Sequence, residues 1–378
     1  MTLARPIRAA FVSHYTHLRM GGQRSMALLI EHLDRRVVEP LAICPGPGEL
    51  ADHLTALGCP VEQIPLHPIK PRTLLRVWES ARRIRALARE RAIDILAPDA
   101  PRDAFTCGLG KLGTPTKLVW FVRLTGRDRL DPLLERLADG FIGDSDATRR
   151  RFSRSARVTA RYRTIVGGAD LERFRPPGDR AALRRELGLP DDRFVLVFAG
   201  QVTRAKGVMD IVDAFTLLRA APERPRPLLI LVGTPHPPEI VGEIGPREDV
   251  RLLGQREDVH RWMQAADVLV SGSHQDTEGM SRVLYEAMAC GAVPIATDIP
   301  GNRDALTPDT GVLVPERSPE DIARAVTSLR AHPERLAALR AQGLRRARET
   351  FDIRIHARGV EAFYRELVAL RARVGESP

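Results

Sequence analysis

Two hydrophobic patterns alternate along the N-terminal half of the chain. Short apolar runs predict strands at residues 7–13, 37–44, 61–64, 93–97, 117–122 and 140–143. Segments with apolar residues three and four apart predict helices at residues 23–33, 49–57, 73–90 and 104–112. Strands separated by helices of this length are typical of a doubly wound parallel sheet, which binds ligands at the carboxyl ends of its strands.

The C-terminal half repeats the alternation. Apolar runs predict strands at residues 194–199, 227–232, 267–271 and 293–296, with a helix at 208–218. Three further helices are predicted at residues 319–330, 333–349 and 353–373. Since 378 residues can form two domains with separate cores, the pattern predicts an α/β protein with two Rossmann-like domains.

The composition is that of an ordinary globular protein, with 43% hydrophobic and 28% charged residues. No apolar run reaches the length of a membrane span, and the N-terminus lacks the hydrophobic segment of a signal peptide, so we expect a cytoplasmic protein. The four cysteines are scattered without a CxxC pair, which argues against a disulfide framework and against a zinc cluster.

The net charge of +10 comes mainly from arginines dispersed over nearly every predicted helix. No stretch combines basic residues with interleaved aromatic residues, so we expect no nucleic-acid partner. Between Arg72 and Arg91, however, basic residues share a predicted helix with Leu74, Leu75 and Trp78. This helix favours peripheral contact with an anionic membrane, at the inner face of the cytoplasmic membrane; the alternative is a surface helix with a solvated face.

Residues 275–297 form the most informative stretch. A loop follows the strand at 267–271, and a helix follows the loop, with apolar residues at helical spacing from Met280 to Met288. Gly291 ends this helix before the next strand begins. The unit is therefore predicted to be strand, loop, helix and strand.

This unit contains two glutamates. Glu278 lies at the mouth of the helix and Glu286 eight residues later, about 12 Å further along the axis and on a common side. This is longer than the roughly 5 to 9.5 Å between the carboxylates of a glycosidase. A separation of this length suits two carboxylates that contact the sugar end and the ribose end of one sugar nucleotide. The alternative is that Glu278 only complements the helix dipole and that Glu286 is solvated.

Backbone amides supply a second part of the predicted site. Those of Gly279, Met280 and Ser281, at the N-terminus of the same helix, would face a diphosphate held between the two glutamates.

A glycine pair follows the first predicted strand. Gly21 and Gly22 are placed in the loop that leads into the next helix, where backbone amides can approach a phosphate closely. His14 and His17 share this loop. Since no third ligand lies nearby in the sequence, we expect them to form hydrogen bonds rather than to bind a metal.

Two segments resemble the donor-site signature of a large family. The first runs from Glu278-Gly279 through Glu286 to Pro294, and the second is Pro300-Gly301-Asn302. The family is the retaining glycosyltransferase family with the GT-B fold, family 4, of the glycosyl-transferases-group-1 type. The resemblance implies two Rossmann-like domains that face each other across a cleft.

The same resemblance implies the domain boundaries. Residues 1–165 would form the acceptor domain and residues 166–355 the nucleotide-sugar donor domain. A C-terminal helix at 356–378 would cross back onto the first domain. Gly167 and Gly168 lie in a segment that resembles the family's interdomain hinge.

Further site residues follow from matching positions. In the family, an arginine and a lysine after the first strand of the donor domain point at the diphosphate. Lys206 matches that lysine, whereas Gln201 replaces the arginine and Arg204 is a candidate substitute. Arg123 replaces a histidine that approaches the transferred sugar in many members; it stays protonated, so it cannot act as a general base. The region around Gly254 would line the base pocket.

The double glycine also matches, because in the family such a loop faces the donor phosphates. Glu278, Lys206 and Arg123 are thus the candidate catalytic residues. We expect a nucleoside diphosphate sugar as donor substrate, with no cofactor and no metal, because Lys206 and the helix amides would stabilise the departing diphosphate.

The resemblance implies a retaining transferase that moves the sugar to the hydroxyl of a sugar, lipid-linked or small-molecule acceptor. Cell-envelope glycan, glycolipid and natural-product glycoside synthesis are the expected settings. Two alternatives stay open: a non-catalytic GT-B protein that binds a sugar nucleotide or a membrane surface, and a GT-B epimerase or phosphorylase.

Overall fold

The computed structural model describes residues 5–19, 21–220, 225–275 and 279–375. The chain forms two compact units: unit 1 comprises Met1–Gly167 and Ile353–Pro378, and unit 2 comprises Gly168–Asp352. The first division falls between Gly167 and Gly168, and the chain returns to unit 1 at Ile353.

Unit 1 is built on a sheet of seven strands in the order β3-β2-β1-β4-β5-β6-β7, and every neighbouring pair is parallel. The strands are β1 Ile7–Val12, β2 Val38–Cys44, β3 Val61–Gln63, β4 Ile95–Pro98, β5 Lys117–Val122, β6 Gly140–Gly143 and β7 Tyr162–Thr164. The helices that connect them are α1 Gly21–His32, α2 Glu49–Ala56, α3 Leu74–Glu90, α4 Pro101–Lys111, α5 Asp131–Leu137, α6 Asp146–Arg150 and α7 Ala156–Thr159.

Unit 2 contains a parallel sheet of six strands in the order β10-β9-β8-β11-β12-β13. The strands are β8 Val195–Ala199, β9 Leu228–Val232, β10 Val250–Leu252, β11 Val268–Ser271, β12 Val293–Thr297 and β13 Val312–Val314. The helices are α8 Arg180–Glu186, α9 Val208–Ala220, α10 Ile240–Ile244, α11 Val259–Ala265, α12 Arg282–Cys290, α13 Pro300–Ala305, α14 Pro319–Ala331 and α15 Pro333–Thr350.

The last helix, α16 Ile353–Gly375, belongs to unit 1. Its residues Val360, Phe363 and Tyr364 are buried in the same hydrophobic cluster as Ile7 and Phe11 of β1. The side chain of Glu361 accepts a hydrogen bond from the backbone amide of residue 34 at 2.8 Å. The helix therefore completes the core of unit 1.

The inner strands carry apolar residues on both faces because helices cover both sides of each sheet. All five residues of β8 and of β9 are buried, as buried parallel strands require. The predicted fold class, two Rossmann-like α/β domains, is confirmed.

Several short elements lack a sequence signal. The edge strand β7 has only three residues, two of them polar, so it produces no apolar run. The edge strand β13 is apolar throughout, but its three residues are too few to predict a strand. Helix α5 was not predicted either. No helix in the described part of the chain is both long and apolar enough to cross a bilayer.

Candidate functional site

Each sheet has a point at which the strand order reverses, between β1 and β4 in unit 1 and between β8 and β11 in unit 2. Ligands of open α/β sheets bind outside the carboxyl ends of the strands at such a switch point. The residues predicted to form the site fall into two groups, one at each switch point.

In unit 2, the loop after β8 contains a single 3-10 turn, Arg204–Lys206. The Thr203 hydroxyl caps this turn by accepting a hydrogen bond from the backbone amide of Lys206 at 3.2 Å. Gly207 ends the turn with a φ of 64°, in the left-handed region that favours glycine. The loop thus presents Lys206 at the N-terminus of α9.

The loops after β8 and β11 contact each other backbone to backbone. A Cβ added to Gly207 would lie 2.0 Å from the carbonyl oxygen of Gly272, so only glycine permits this approach. The amide of His274 donates to the carbonyl of Ala205 at 3.0 Å, and His274 Nε2 lies 2.9 Å from the Asp210 carboxylate on α9. These contacts fix the loop that leads into the predicted donor site.

The loop after β12 approaches the same segment from the other side. A Cβ on Gly301 would lie 1.9 Å from the carbonyl oxygen of Gly279. Asn302, which is completely buried, donates from its amide to the carbonyl of Thr297 at 2.9 Å. The Pro-Gly-Asn sequence therefore holds Gly279 in place through backbone contact.

Helix α12 begins later than the sequence suggested. Ser281 is its N-cap and Arg282 its first residue, so Gly279 and Met280 precede the helix rather than form its first turn. The amides of the first turn are those of residues 282–284. Gly291 ends the helix as predicted, with a φ of 85°.

Glu286 is buried, with only 7% of its side chain exposed, and its Oε1 accepts a hydrogen bond from the Arg282 guanidinium at 2.7 Å. The alternative of a solvated Glu286 is therefore wrong. Glu278 lies outside the described residues, so its predicted role in sugar binding stays a prediction.

The other predicted residues of unit 2 lie in the loops of neighbouring strands. Gln201 is half-buried directly after Gly200 at the end of β8. Arg204 is 65% exposed and pairs with Glu243 of α10, so in this structure its guanidinium does not replace the missing family arginine. The carbonyl of Gly254, after β10, accepts a hydrogen bond from the amide of Gly233 at 2.8 Å.

In unit 1, the switch point is occupied by paired side chains. His14 follows β1, and its Nδ1 lies 2.7 Å from Oδ2 of Asp103 in the first turn of α4. The same oxygen accepts a hydrogen bond from the backbone amide of His14 at 3.2 Å. The described residues contain no group of three His, Cys, Asp or Glu side chains that could hold a metal ion.

Arg123 follows β5 and donates from Nε to Oδ1 of Asp99, which follows β4, at 3.1 Å. The guanidinium also lies over the Phe121 ring, 5.2 Å from its centroid. Burial raises the pKa of the Asp99 carboxyl, and the charge of Arg123 opposes this rise. Asp103 and His14 also act electrostatically on Asp99, so these four side chains form one cluster.

The glycine pair does not lie in a loop. Gly21 and Gly22 are the first two residues of α1. A Cβ on Gly22 would lie 3.1 Å from Oδ2 of Asp99, which places the start of α1 against the cluster. The prediction that these glycines lie in the loop before the helix is therefore wrong, because they form its first turn.

Sequence reasoning missed Asp99, Asp103 and Arg282. The first two follow or open elements at the sheet switch point, and Asp103 is the single acidic residue in the first turn of α4. That position was a usable signal. Arg282 gave no signal beyond its spacing of four residues from Glu286.

Two family models match this chain. The model described as "Glycosyl transferases group 1" matches residues 179–346, and the model described as "Glycosyltransferase Family 4" matches residues 20–173. The first match lies within unit 2, and the second covers most of the N-terminal part of unit 1.

Curated relatives named D-inositol 3-phosphate glycosyltransferase are also similar. The chain is 33% identical to the protein from Jonesia denitrificans over 204 residues, which are 50% of this chain and 48% of that protein. It is 32% identical to the protein from Kineococcus radiotolerans over 258 residues, which are 62% of this chain and 59% of that protein. The matched region thus spans about half the length of these relatives.

Solved structures share the fold over nearly the whole chain. Anabaena HepE, in complex with UDP and glucose, matches with a TM-score of 0.79 and 19% identity, covering 94% of this chain and 98% of that one. Sucrose-phosphate synthase from Thermosynechococcus elongatus matches with a TM-score of 0.79 and 22% identity, covering 96% of this chain and 100% of that one. At these identities the likeness shows the GT-B fold alone.

The two matched models together account for most of both units. Over these two segments the chain is similar to the group 1 glycosyl transferases and to glycosyltransferase family 4.

Proposed function

We propose that this protein is a retaining glycosyltransferase that moves a sugar from a nucleoside diphosphate sugar to an acceptor hydroxyl. One observation carries the proposal. At the switch point of unit 2, the loops after β8, β11 and β12 meet through bare glycine backbone, and Lys206 lies in the same set of loops. Bare backbone beside a lysine at a helix N-terminus suits a diphosphate.

Charge stabilisation would drive the reaction. Negative charge builds on the diphosphate as its bond to the sugar breaks, and Lys206 would counter that charge without a metal ion. Arg282, the first residue of α12, is paired with Glu286, and Arg204 is held by Glu243, so Lys206 is the cation that we assign to the diphosphate. Gln201 would contact the diphosphate only through its uncharged side-chain amide and backbone, without the charge of the family's arginine.

The predicted acids keep distinct proposed roles. We assign Glu278 to the hydroxyls of the transferred sugar and Glu286 to the ribose hydroxyls. The buried pair of Glu286 with Arg282 supports this role, because a carboxylate fixed by one guanidinium presents its acceptor lone pairs in a defined direction. Gly254 and its loop would line the base pocket.

Retention of configuration requires that the acceptor attack from the face that the diphosphate leaves. Arg123, fixed by Asp99, would contact the sugar or the acceptor in unit 1. The similar D-inositol 3-phosphate glycosyltransferases make D-inositol 3-phosphate a reasonable first acceptor to test.

The decisive experiment screens donors without requiring the acceptor. The full chain is mixed with a panel of UDP-, GDP- and ADP-sugars, and both thermal stabilisation and release of free sugar are measured. We expect one nucleotide to stabilise the protein and its sugar to be released slowly. Stabilisation without release would favour the non-catalytic alternative, and a released sugar of altered configuration at a carbon other than C1 would favour an epimerase.

Stereochemistry is tested on the transfer product. With D-inositol 3-phosphate as acceptor, the anomeric coupling in the proton NMR spectrum should show the same configuration at C1 as in the donor. The opposite configuration would contradict retention. Phosphorolysis of a glycoside by inorganic phosphate is the matched assay for the phosphorylase alternative.

We also propose that the cytoplasmic protein attaches peripherally to an anionic membrane surface through α3. Leu74, Leu75 and Trp78 are 53%, 85% and 56% exposed and lie on one side of the helix. The Arg82 guanidinium lies 4.9 Å from the Trp78 ring centroid. An exposed apolar cluster among arginines is the pattern of an interfacial helix.

Cosedimentation with phosphatidylcholine vesicles, with and without phosphatidylglycerol, tests this attachment. We expect binding only to the anionic vesicles, weakened by salt. The double variant Leu75→Ser, Trp78→Ser should lose binding at least tenfold, since each buried apolar side chain contributes about 1.5 to 3 kcal/mol. Leu217→Ser, which removes a 45% exposed leucine from unit 2, is the control.

A further inference from the structure

The His14 and Asp103 pair has the features of a ligand site that the roles above leave unused. The Asp103 carboxylate is 1% exposed, and its Oδ2 accepts from both the backbone amide and the ring of His14. The His14 side chain is 10% exposed and lies at the switch point of the unit 1 sheet. The imidazole is therefore held in a fixed orientation where this fold binds ligands.

The pairing fixes the tautomer of the neutral imidazole. Because a carboxylate only accepts hydrogen bonds, Nδ1 must carry the proton that it donates to Asp103. Nε2 is then left with its lone pair. Among the described residues, no donor contacts Nε2.

Two further buried polar atoms of unit 1 form no hydrogen bond within the described residues. Oδ1 of the buried Asp103 has no hydrogen-bond partner among the described residues, although Nε of Arg102 lies 3.7 Å away. The hydroxyl of Tyr364 is also unpaired in the described part of the chain, and Tyr364 is fully buried on α16. The charges of Asp99 and Arg123 act on the pKa of the Tyr364 hydroxyl, so Tyr364 lies near the cluster that contains His14 and Asp103. Buried polar atoms are rarely left unpaired without a reason.

We propose that His14 Nε2 accepts the hydrogen bond of the acceptor hydroxyl that attacks the donor sugar, and that Asp103 is its positioning residue. As the hydroxyl oxygen bonds to C1 of the sugar, the bond between C1 and the diphosphate breaks, the diphosphate leaves with the electron pair, and the hydroxyl proton passes to Nε2. The inference rests on the proposed transferase function and names the acceptor subsite. A neutral imidazole with a free lone pair selects a donor group such as a hydroxyl.

The tautomer is tested first, because it needs no activity. Long-range proton–nitrogen NMR of the full chain at alkaline pH, about 9, reports which ring nitrogen carries the proton, and His14→Gln identifies the signal. We expect the Nδ1–H tautomer of His14 to predominate in the wild type. In Asp103→Asn this tautomer should no longer predominate. An Nε2–H form in the wild type would overturn the proposal.

Turnover gives the second test. Water replaces the acceptor when the donor is hydrolysed, so hydrolysis of the best donor in the panel reports on His14 even before the natural acceptor is known. His14→Ala should lower kcat about tenfold, the loss of one hydrogen bond to the nucleophile, with the donor KM unchanged. Asp103→Asn should lower kcat by a smaller factor, and His53→Ala, an exposed histidine of α2, should equal the wild type.

The outcomes separate the two proposals. If the wild type hydrolyses a donor and His14→Ala does so equally fast, the acceptor subsite is refuted while the transferase function stands. If the wild type turns over no donor, the transferase function fails, and the role given to His14 fails with it. Thermal unfolding of each variant checks that a lost rate does not reflect a lost fold.

Discussion

The two switch points have the same topology and opposite construction. In unit 2 the loops after β8 and β11 meet through backbone, with Gly207 against Gly272. In unit 1 the loops after β1, β4 and β5 meet through charged and polar side chains, His14 with Asp103 and Arg123 with Asp99. Bare backbone suits a polyanion that needs many amides, and paired side chains suit a neutral hydroxyl that needs one oriented acceptor.

The difference also changes what each switch point can tolerate. Backbone contacts leave no room for a Cβ, whereas side-chain contacts can adjust by rotation. The exposure of the carboxyls also differs, because the Asp99 carboxyl after β4 in unit 1 is 15% exposed, whereas the Asp298 carboxyl after β12 in unit 2 is 41% exposed.

The largest effect should come from the cation in unit 2. Lys206→Ala should lower donor turnover by roughly 100- to 1000-fold, as does the loss of one group that stabilises transition-state charge. Arg204→Ala should lower it only a few-fold, because Arg204 is exposed and paired with Glu243. Steady-state kinetics of donor hydrolysis measures both, and equal losses would show that Arg204 leaves Glu243 to bind the diphosphate.

A second effect contrasts the glycines. Gly207→Ala should lower the free energy of unfolding by about 2 to 4 kcal/mol, because its Cβ would overlap the Gly272 carbonyl and its φ is positive. Gly22→Ala meets only a side-chain oxygen at 3.1 Å and gains helix propensity, so its change should stay within about 1 kcal/mol. Urea unfolding compares the two, with Gly242→Ala, where a Cβ meets open space, as the control.

The smallest effect is a pair of opposite pH dependences. Burial raises the folded-state pKa of Asp99 above its unfolded value, so the folded state holds the proton longer. Its contribution to stability is therefore present below the unfolded pKa, about 4, and is lost as the pH rises through the folded pKa. The stability of the wild type relative to Asp99→Asn should fall over that range.

Asp298 should behave in the opposite way. The hydrogen bond from Arg303 lowers the folded-state pKa of Asp298, so its contribution is present above the unfolded pKa and is lost as the pH falls through the folded pKa. The stability of the wild type relative to Asp298→Asn should rise with pH. Urea midpoints across the acidic range measure both differences, and slopes of the same sign would contradict the contrast between the units.

Local sequence pattern determined much of this protein. Apolar periodicity predicted the buried strands, the helices between them and the fold class, because the burial of a strand or a helix face depends on residues a few positions apart. Gly291 ended α12 as predicted, since a left-handed residue after a helix favours glycine. Family spacing placed Lys206 in the loop after β8.

Tertiary structure decided the rest. His14 and Asp103 are 89 residues apart, and only the strand order that sets β1 beside β4 brings them together. Arg204 was expected near the diphosphate, but Glu243, 39 residues away, binds its guanidinium. The short edge strand β7 forms without an apolar run because its neighbour β6 supplies the hydrogen bonds. A sequence specifies which faces are buried within a few residues, whereas partners between distant loops depend on how the strands are ordered in the sheet.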